Sequence, residues 1–120
     1  MFSFFFPKKQ EPDFNLGFLE TDFHSHLLPG IDDGAKDIED SLILIKHLVD
    51  FGFKRLITTP HIMSEVYPNN IEIITEKLNI VRERLKVEGI NIELRAAAEY
   101  FMDESFLVML DNGEPLLPIF

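Results

Sequence analysis

The sequence predicts an α/β fold in which parallel strands alternate with helices. Three segments of strand character, residues 19–27, 54–59 and 90–98, alternate with three segments whose apolar residues recur at helical spacing. This order is typical of βα units joined by right-handed crossovers. The middle of the second strand, Leu56 and Ile57, is continuously apolar, as expected for a strand buried in a parallel sheet.

The first βα unit combines an alternating strand with a helix whose ends are marked by capping residues. Alternation divides the strand into two faces, one with Asp22, His24 and His26 and the other with Phe23, Ser25 and Leu27. After a turn bounded by Pro and Gly, Asp37 is expected to cap a helix that Gly52 ends. The apolar stripe of this helix consists of Ile38, Leu42, Ile45 and Val49.

The second and third units follow the same plan. Asn69 or Asn70 is expected to cap the second helix, which ends at Gly89. Its apolar stripe consists of Ile71, Ile74, Leu78, Val81 and Leu85. A third helix is predicted from Asp103 to about Leu110. The apolar residues 114–120 then resemble the start of a fourth strand.

The predicted organisation is a short arm followed by part of a larger fold. Residues 1–17, a Phe-rich start and then mostly polar or turn-forming residues, are expected to form the N-terminal arm, and residues 18–120 the folded unit. A sheet of three strands would have exposed edges, and the 120 residues fall well short of the ~250 of a full α/β barrel. We therefore expect about three βα units of a larger barrel. A compact domain completed by self-association is the alternative.

Composition excludes several classes of protein. With 46% hydrophobic residues the chain is not disordered, and its formal net charge of -10 argues against a nucleic-acid surface built from Lys and Arg. The absence of cysteine excludes disulfides, thiolate metal sites and a cysteinyl-phosphate mechanism. The Phe-rich start is too short for a signal peptide or a transmembrane segment. A cytoplasmic location is expected.

Metal-ligand residue types follow each of the three predicted strands. His24 and His26 lie at the end of the first strand, His61 follows the second and Glu99 follows the third. The carboxyl ends of parallel strands meet at one edge of a sheet, so these side chains are expected to converge. The joint arrangement predicts a metal site, which none of the individual residues does alone.

The residue types indicate which ions and which reaction suit such a site. His24 and His26, two residues apart on a strand, can offer two imidazoles to one ion. An acidic turn contributes Asp32 and Asp33, and spacing alone does not decide between them. A set without thiolates suits Mn²⁺, Fe or Zn²⁺, and Glu99 could bridge two ions. Two ions about 3.5–4 Å apart favour hydrolysis of a phosphate ester; amide or deaminase-type hydrolysis is the alternative.

Three further residues are not expected to be ligands. His47 lies about half a turn from the apolar stripe of its helix and should face solvent. Tyr67 and Tyr100 are close to the predicted ligands in sequence and are expected to pack against the site or to form its rim.

One long motif resembles a known family. The run FHSHLLPGIDDGAK at residues 23–36, with TTPH at 58–61 and AE at 98–99, resembles the polymerase and histidinol phosphatase (PHP) superfamily. The branch it is most similar to is the bacterial manganese-dependent protein-tyrosine phosphatases of capsule and exopolysaccharide loci. The resemblance covers roughly residues 18–110. It implies the N-terminal part of a distorted (β/α)7 barrel with a polynuclear metal centre.

The resemblance also implies roles for individual residues. The implied metal ligands are His24, His26, Asp33, His61 and Glu99. Among them, His24, His26 and Glu99 are the implied catalytic residues, with Glu99 bridging two ions. Asp32 is expected to support a ligand or to cap the turn. The implied reaction is hydrolysis of phosphotyrosine by a metal-bound hydroxide, and the implied partner is a phosphotyrosine protein, a bacterial tyrosine kinase of polysaccharide synthesis and export.

The chain departs from the family pattern after Glu99, where it has no His and no Arg. Family members carry further histidines, an Asp-x-His pair and phosphate-binding arginines there, so the isolated chain is expected to bind metal poorly and to lack activity alone. Two other interpretations stay open. One is a PHP-type phosphoesterase for another substrate, such as histidinol phosphate, and the other is a non-catalytic fragment. An oligomer is compatible with both.

Overall fold

The computed structural model describes residues 15–119, so the predicted role of the Phe-rich start lies outside the described residues. The described residues contain five short strands: β1 (Thr21–Asp22), β2 (Arg55–Thr58), β3 (His61–Ile62), β4 (Glu93–Ala96) and β5 (Glu99–Tyr100). The main sheet has the order β1-β2-β4, and β3 pairs with β5 in a second sheet. All these pairs are parallel, which confirms the predicted α/β class.

Three helices connect or follow the strands, as the sequence predicts. They are α1 (Ile38–Asp50), α2 (Ile71–Val87) and α3 (Glu104–Asp111). The residue before each helix is its N-cap: Asp37 for α1, Asn70 for α2 and Asp103 for α3. In each case the side chain of the cap accepts a hydrogen bond from the backbone N–H three residues further along the chain. The cap of α2 is thus Asn70, which leaves Asn69 available for other contacts.

The core lies between the main sheet and the two longer helices. Leu56 of β2 and Leu94 of β4 are register partners, and both are buried. The helices complete the cluster with their predicted stripes, Leu42 and Ile45 from α1 and Ile74, Leu78, Val81 and Leu85 from α2. Burying a side chain of this size contributes about 1.5–3 kcal/mol relative to leaving it exposed. Leu16 also packs against the core, so the packed unit already includes residues before Phe18.

The opposite face of the main sheet is open and partly charged. Arg55 pairs with Glu93 across the sheet at 2.7 Å, and Arg95 contacts the same carboxylate at 2.6 Å. The hydrogen bond from Arg55 and the neighbouring positive charges hold the pKa of Glu93 below its ordinary value. This arrangement neutralises charge on the uncovered face.

The first strand is much shorter than the predicted residues 19–27. Gly17–Leu19 form a turn of 3-10 helix, and ladder pairing is limited to β1. Beyond β1, Thr58 and Thr59 at the end of β2 form hydrogen bonds with backbone groups of the extended segment at residues 25–27. The Thr58 hydroxyl donates to Ser25 O and accepts from Leu27 N–H, while Thr59 N–H donates to Ser25 O. Two side-chain hydrogen bonds and one backbone hydrogen bond therefore replace the expected strand pairing.

The other two predicted strands are present within their predicted bounds, and each is followed by a further short strand that was not predicted. Pro60 has no N–H to donate and separates β2 from β3, which the sequence analysis missed. The predicted strand at 90–98 is present only as β4, and β5 follows as a separate strand. A fourth strand is not found up to residue 119, although Leu117 O accepts a hydrogen bond from Ala98 N–H.

None of the helices within residues 15–119 is both long and apolar enough to cross a membrane.

Candidate metal centre

Five acidic and histidine side chains converge where the strands end. Two groups of potential ligand atoms each lie within 4.8 Å of one another: His24, His26 and Glu99, and His26, Asp33 and His61. The five members are the five residues that the sequence analysis selected, and His26 belongs to both groups. The expected convergence of strand ends is therefore observed.

Glu99 and His61 face each other because their strands are in register. β3 and β5 pair with His61 opposite Glu99, so both side chains point to the same side of the second sheet. Glu99 Oε2 lies 3.5 Å from His61 Nδ1 and 3.3 Å from His26 Nε2. The same carboxylate oxygen therefore contacts one member of each group, which is the position a bridging ligand requires.

Asp33 reaches the site because the turn after the first strand folds back over it. The N–H of Ala35 donates to His26 O at 3.1 Å, and a Cβ on Gly34 would collide with the His26 backbone. Only glycine permits this close approach. As a result, Asp33 Oδ1 lies 3.3 Å from His61 Nε2, with its side chain 61% exposed and accessible to a ligand.

Supporting hydrogen bonds hold the candidate ligands from behind. His24 Nδ1 lies 3.0 Å from Thr59 Oγ1, and His26 Nδ1 lies 2.8 Å from Asp32 Oδ2. Asn69 donates from Nδ2 to the backbone oxygens of Ile31 and His61, both at 2.8 Å. The sequence analysis did not select Thr59 or Asn69. In the sequence they look like an ordinary strand-end residue and an ordinary helix cap. Their supporting role becomes visible only from their hydrogen-bond partners, His24 for Thr59 and the backbone of Ile31 and His61 for Asn69.

The residues predicted to lie outside the ligand set do so. His47 is exposed on α1, which confirms that it faces solvent. The Tyr67 ring stacks on His61, with centroids 5.5 Å apart and 12° between the planes. Tyr100 accepts a hydrogen bond from Leu117 N–H at 2.7 Å and packs against Phe106. Tyr67 thus borders the site, and Tyr100 packs on the far side of β5.

Asp103 joins two segments that follow the strands of the second sheet. Its carboxylate caps α3 through Phe106 N–H and accepts a hydrogen bond from Ser64 Oγ at 2.9 Å, which joins the segments that follow β3 and β5. These hydrogen bonds to the charged form hold the pKa of Asp103 below its ordinary value, the Phe106 N–H being the larger cause.

The donor set fits a divalent cation. Three imidazoles and two carboxylates, without sulfur, suit Zn²⁺, Mn²⁺ or Fe. Carboxylates so close to imidazole nitrogens attract positive charge to the space between them. His26 belongs to both groups, and the Glu99 carboxylate lies close to His61 of the second group, so the two groups adjoin each other.

Comparisons with known proteins identify relatives of this chain. Tyrosine-protein phosphatase YwqE of Bacillus subtilis is 35% identical over 78 residues, which are 65% of this chain and 31% of that protein. Tyrosine-protein phosphatase CpsB of Streptococcus pneumoniae is 28% identical over 93 residues, 78% of this chain and 38% of that protein. The chain therefore spans less than two fifths of the length of these relatives.

A solved structure extends the similarity to the fold. It is from the crystal structures of YwqE from Bacillus subtilis and CpsB from Streptococcus pneumoniae. These two proteins are described as unique metal-dependent tyrosine phosphatases. The TM-score is 0.69 at 30% identity, over 77% of this chain and 37% of the matched chain. A family model for capsular polysaccharide synthesis proteins of the CpsB/CapC type matches residues 20–117. This match includes all five candidate ligands, and the chain belongs to the CpsB/CapC family.

Proposed function

We propose that the protein represented by this chain is a metal-dependent protein-tyrosine phosphatase, with Mn²⁺ as the ion and Fe or Zn²⁺ as alternatives. The observation that carries the proposal is the convergence of His24, His26, Asp33, His61 and Glu99 at the ends of the strands. The names of the relatives support phosphotyrosine, in preference to histidinol phosphate, as the substrate.

In this proposal the five side chains hold the ions. Glu99 lies between the two groups of ligands, because its carboxylate oxygen is close to both His26 and His61, and His26 would offer its Nε2 nitrogen. Bound divalent ions would supply positive charge for the phosphoryl oxygens and would favour deprotonation of water near neutral pH. The chain's own contribution is to keep the ligand atoms in place and to present the exposed Asp33 edge of the site to solvent.

The substrate must reach the centre from its exposed side. Asp33 and Glu99 are 61% and 42% exposed at their side chains, while the side chains of His26 and His61 are 20% and 26% exposed. Tyr67, stacked on His61, stands beside this opening. A phosphate on a flexible protein segment can approach such an open site. We propose a phosphotyrosine protein as partner, a tyrosine kinase of polysaccharide export, and a cytoplasmic location.

The test is turnover of a phosphotyrosyl peptide and of histidinol phosphate by the full-length protein that contains this chain, with and without added Mn²⁺. We expect Mn²⁺-dependent release of phosphate from the peptide. His26→Ala and Glu99→Ala should abolish it, because each removes a ligand shared between the two groups. His47→Ala is the matched control, since His47 is an exposed histidine on α1 away from the centre.

Three outcomes contradict the proposal. Equal turnover in His26→Ala would show that the centre is not used. Faster turnover of histidinol phosphate would reassign the substrate. Bound Mn²⁺ without any turnover would show that the residues of this chain hold metal without performing the reaction.

A further inference from the structure

We propose that Asp32 is a positioning residue that fixes the ring orientation and the tautomer of His26, so that His26 Nε2 is reserved for a metal ion. This inference rests on the proposed metal centre. It assigns different functions to the two neighbouring aspartates: Asp32 positions His26, and Asp33 is a candidate metal ligand.

Asp32 is the most enclosed carboxylate of the site. Its side chain is 1% exposed, whereas that of Asp33 is 61% exposed. Three N–H groups converge on it: Oδ1 accepts from Gly34 N–H at 3.0 Å, while Oδ2 accepts from His61 N–H at 3.0 Å and lies 2.8 Å from His26 Nδ1. A buried carboxylate is costly unless it is hydrogen-bonded in this way. Asp32 is therefore saturated by protein donors, and Asp33 remains accessible to an ion.

The hydrogen bonds determine where the His26 proton lies. A carboxylate only accepts hydrogen bonds, so the contact with Asp32 requires a proton on His26 Nδ1. A neutral imidazole carries one proton, which leaves a lone pair on Nε2. That nitrogen lies 3.3 Å from Glu99 Oε2, which is also an acceptor. Two acceptors facing each other repel, and a cation that both can coordinate removes the repulsion.

The neighbouring histidine is held in the same manner. His24 Nδ1 contacts Thr59 Oγ1, whose hydroxyl also lies within reach of Ser25 O at 3.5 Å. Both histidines of the pair are thus anchored through Nδ1, with Nε2 left for a ligand. The anchors differ in strength, because a hydrogen bond to a charged carboxylate is about twice as strong as one between neutral groups.

Asp32 also joins the segments that carry the other ligands. It contacts Gly34 beside Asp33, the backbone of His61 and the ring of His26, which come from separate parts of the chain. A ligand held before the ion arrives loses less conformational freedom on binding. Loss of Asp32 should therefore weaken the metal site without removing any ligand atom from it.

The first test reads the tautomer in the metal-free full chain. Long-range proton–nitrogen NMR of histidine-labelled protein should show a proton on His26 Nδ1. In Asp32→Asn a single amide oxygen remains for the three N–H groups, so the preference for a proton on Nδ1 should weaken and the Nε2 tautomer should become populated. Asp40→Asn is the control, because Asp40 accepts from Lys36 N–H outside the centre. A wild-type His26 protonated on Nε2 would overturn the proposal even if Asp32→Asn fails to fold.

The second test measures metal affinity by competition with a chelating dye, using Mn²⁺ as the probe. Asp32→Asn should bind Mn²⁺ about 10–100-fold more weakly, as is usual when the hydrogen-bond partner of a ligating histidine is lost. Asp40→Asn should bind like the wild type. Unchanged affinity in a folded Asp32→Asn would overturn the proposal. Neither the NMR spectrum nor the Mn²⁺ affinity depends on phosphate turnover. A protein that lacks phosphatase activity could therefore still support or contradict this role of Asp32.

Discussion

The helix-covered face of the sheet and its carboxyl edge are organised by different forces. Under the helices, Ile45, Leu56 and Ile74 are completely buried, and contacts there are apolar. At the edge, the side chains of Asp33 and Glu99 remain 61% and 42% exposed. The first region is stabilised by removing hydrocarbon from water, and the second is held by hydrogen bonds to side chains and backbone.

This difference implies that stability and metal binding can be changed separately. The carboxylates of Asp33 and Glu99 are largely exposed, so their contacts with the histidines contribute little to the stability of the metal-free chain. Their removal should cost binding and little stability. Removal of a core side chain should lower the free energy of unfolding. It should weaken metal binding only because a smaller fraction of the protein is folded. Five substitutions test this separation.

The largest effect on stability is expected from Leu56→Ala. Leu56 is fully buried in the central strand, so the substitution should lower the free energy of unfolding by about 2–5 kcal/mol. Urea unfolding followed by circular dichroism measures it. Val87→Ala, at a side chain 80% exposed, is the control and should change little. A loss below about 1 kcal/mol at Leu56 would mean that the helices and sheet do not share one core.

Glu99→Gln should weaken metal binding more than it changes stability. It removes the charged oxygen that lies near both His26 and His61, so Mn²⁺ affinity should fall beyond the roughly 10–100-fold typical of lost supporting partners. The unfolding midpoint of the metal-free chain should stay the same or rise. Glu104→Gln on α3 is the matched control. A large loss of stability in metal-free Glu99→Gln would contradict the separation of the two regions.

Two adjacent asparagines provide a sharper comparison. Asn70 caps α2, so Asn70→Ala should lower stability by about 1 kcal/mol and leave metal affinity unchanged. Asn69 joins Ile31 O to His61 O, so Asn69→Ala should weaken Mn²⁺ binding by about 10-fold. Urea unfolding and dye competition on both variants measure the two effects. Equal losses of affinity would show that Asn69 acts through helix stability alone.

The smallest effect is expected from Asp103→Asn and appears only in acid. The pKa of Asp103 is lowered in the folded chain, so its contribution is present above the unfolded pKa of about 3.9 and is lost as the pH falls through the folded pKa. Asn can also cap α3. The melting temperature of the variant should therefore match the wild type at pH 7 and fall less steeply below about pH 4. Parallel pH profiles would contradict this role of Asp103.

Much of the fold was predictable from local sequence patterns. The bounds of α1 and α2 follow from apolar residues at helical spacing and from the capping residues Asp37 and Asn70, whose contacts lie within three residues. The strands were less predictable. Whether an extended segment forms a ladder depends on partners far along the chain, as the hydrogen bonds of Thr58 to Ser25 and Leu27 show.

The sequence by itself determined which chemical groups could meet, because a βα pattern sends the ends of parallel strands to one edge and the ligand types stand at those ends. Only the tertiary structure decided how they meet. It buried Asp32 while leaving Asp33 exposed, paired His61 with Glu99 across two short strands, and supplied Thr59 and Asn69 as supports. Burial and hydrogen bonding depend on partners separated by many residues, which spacing along the chain does not record.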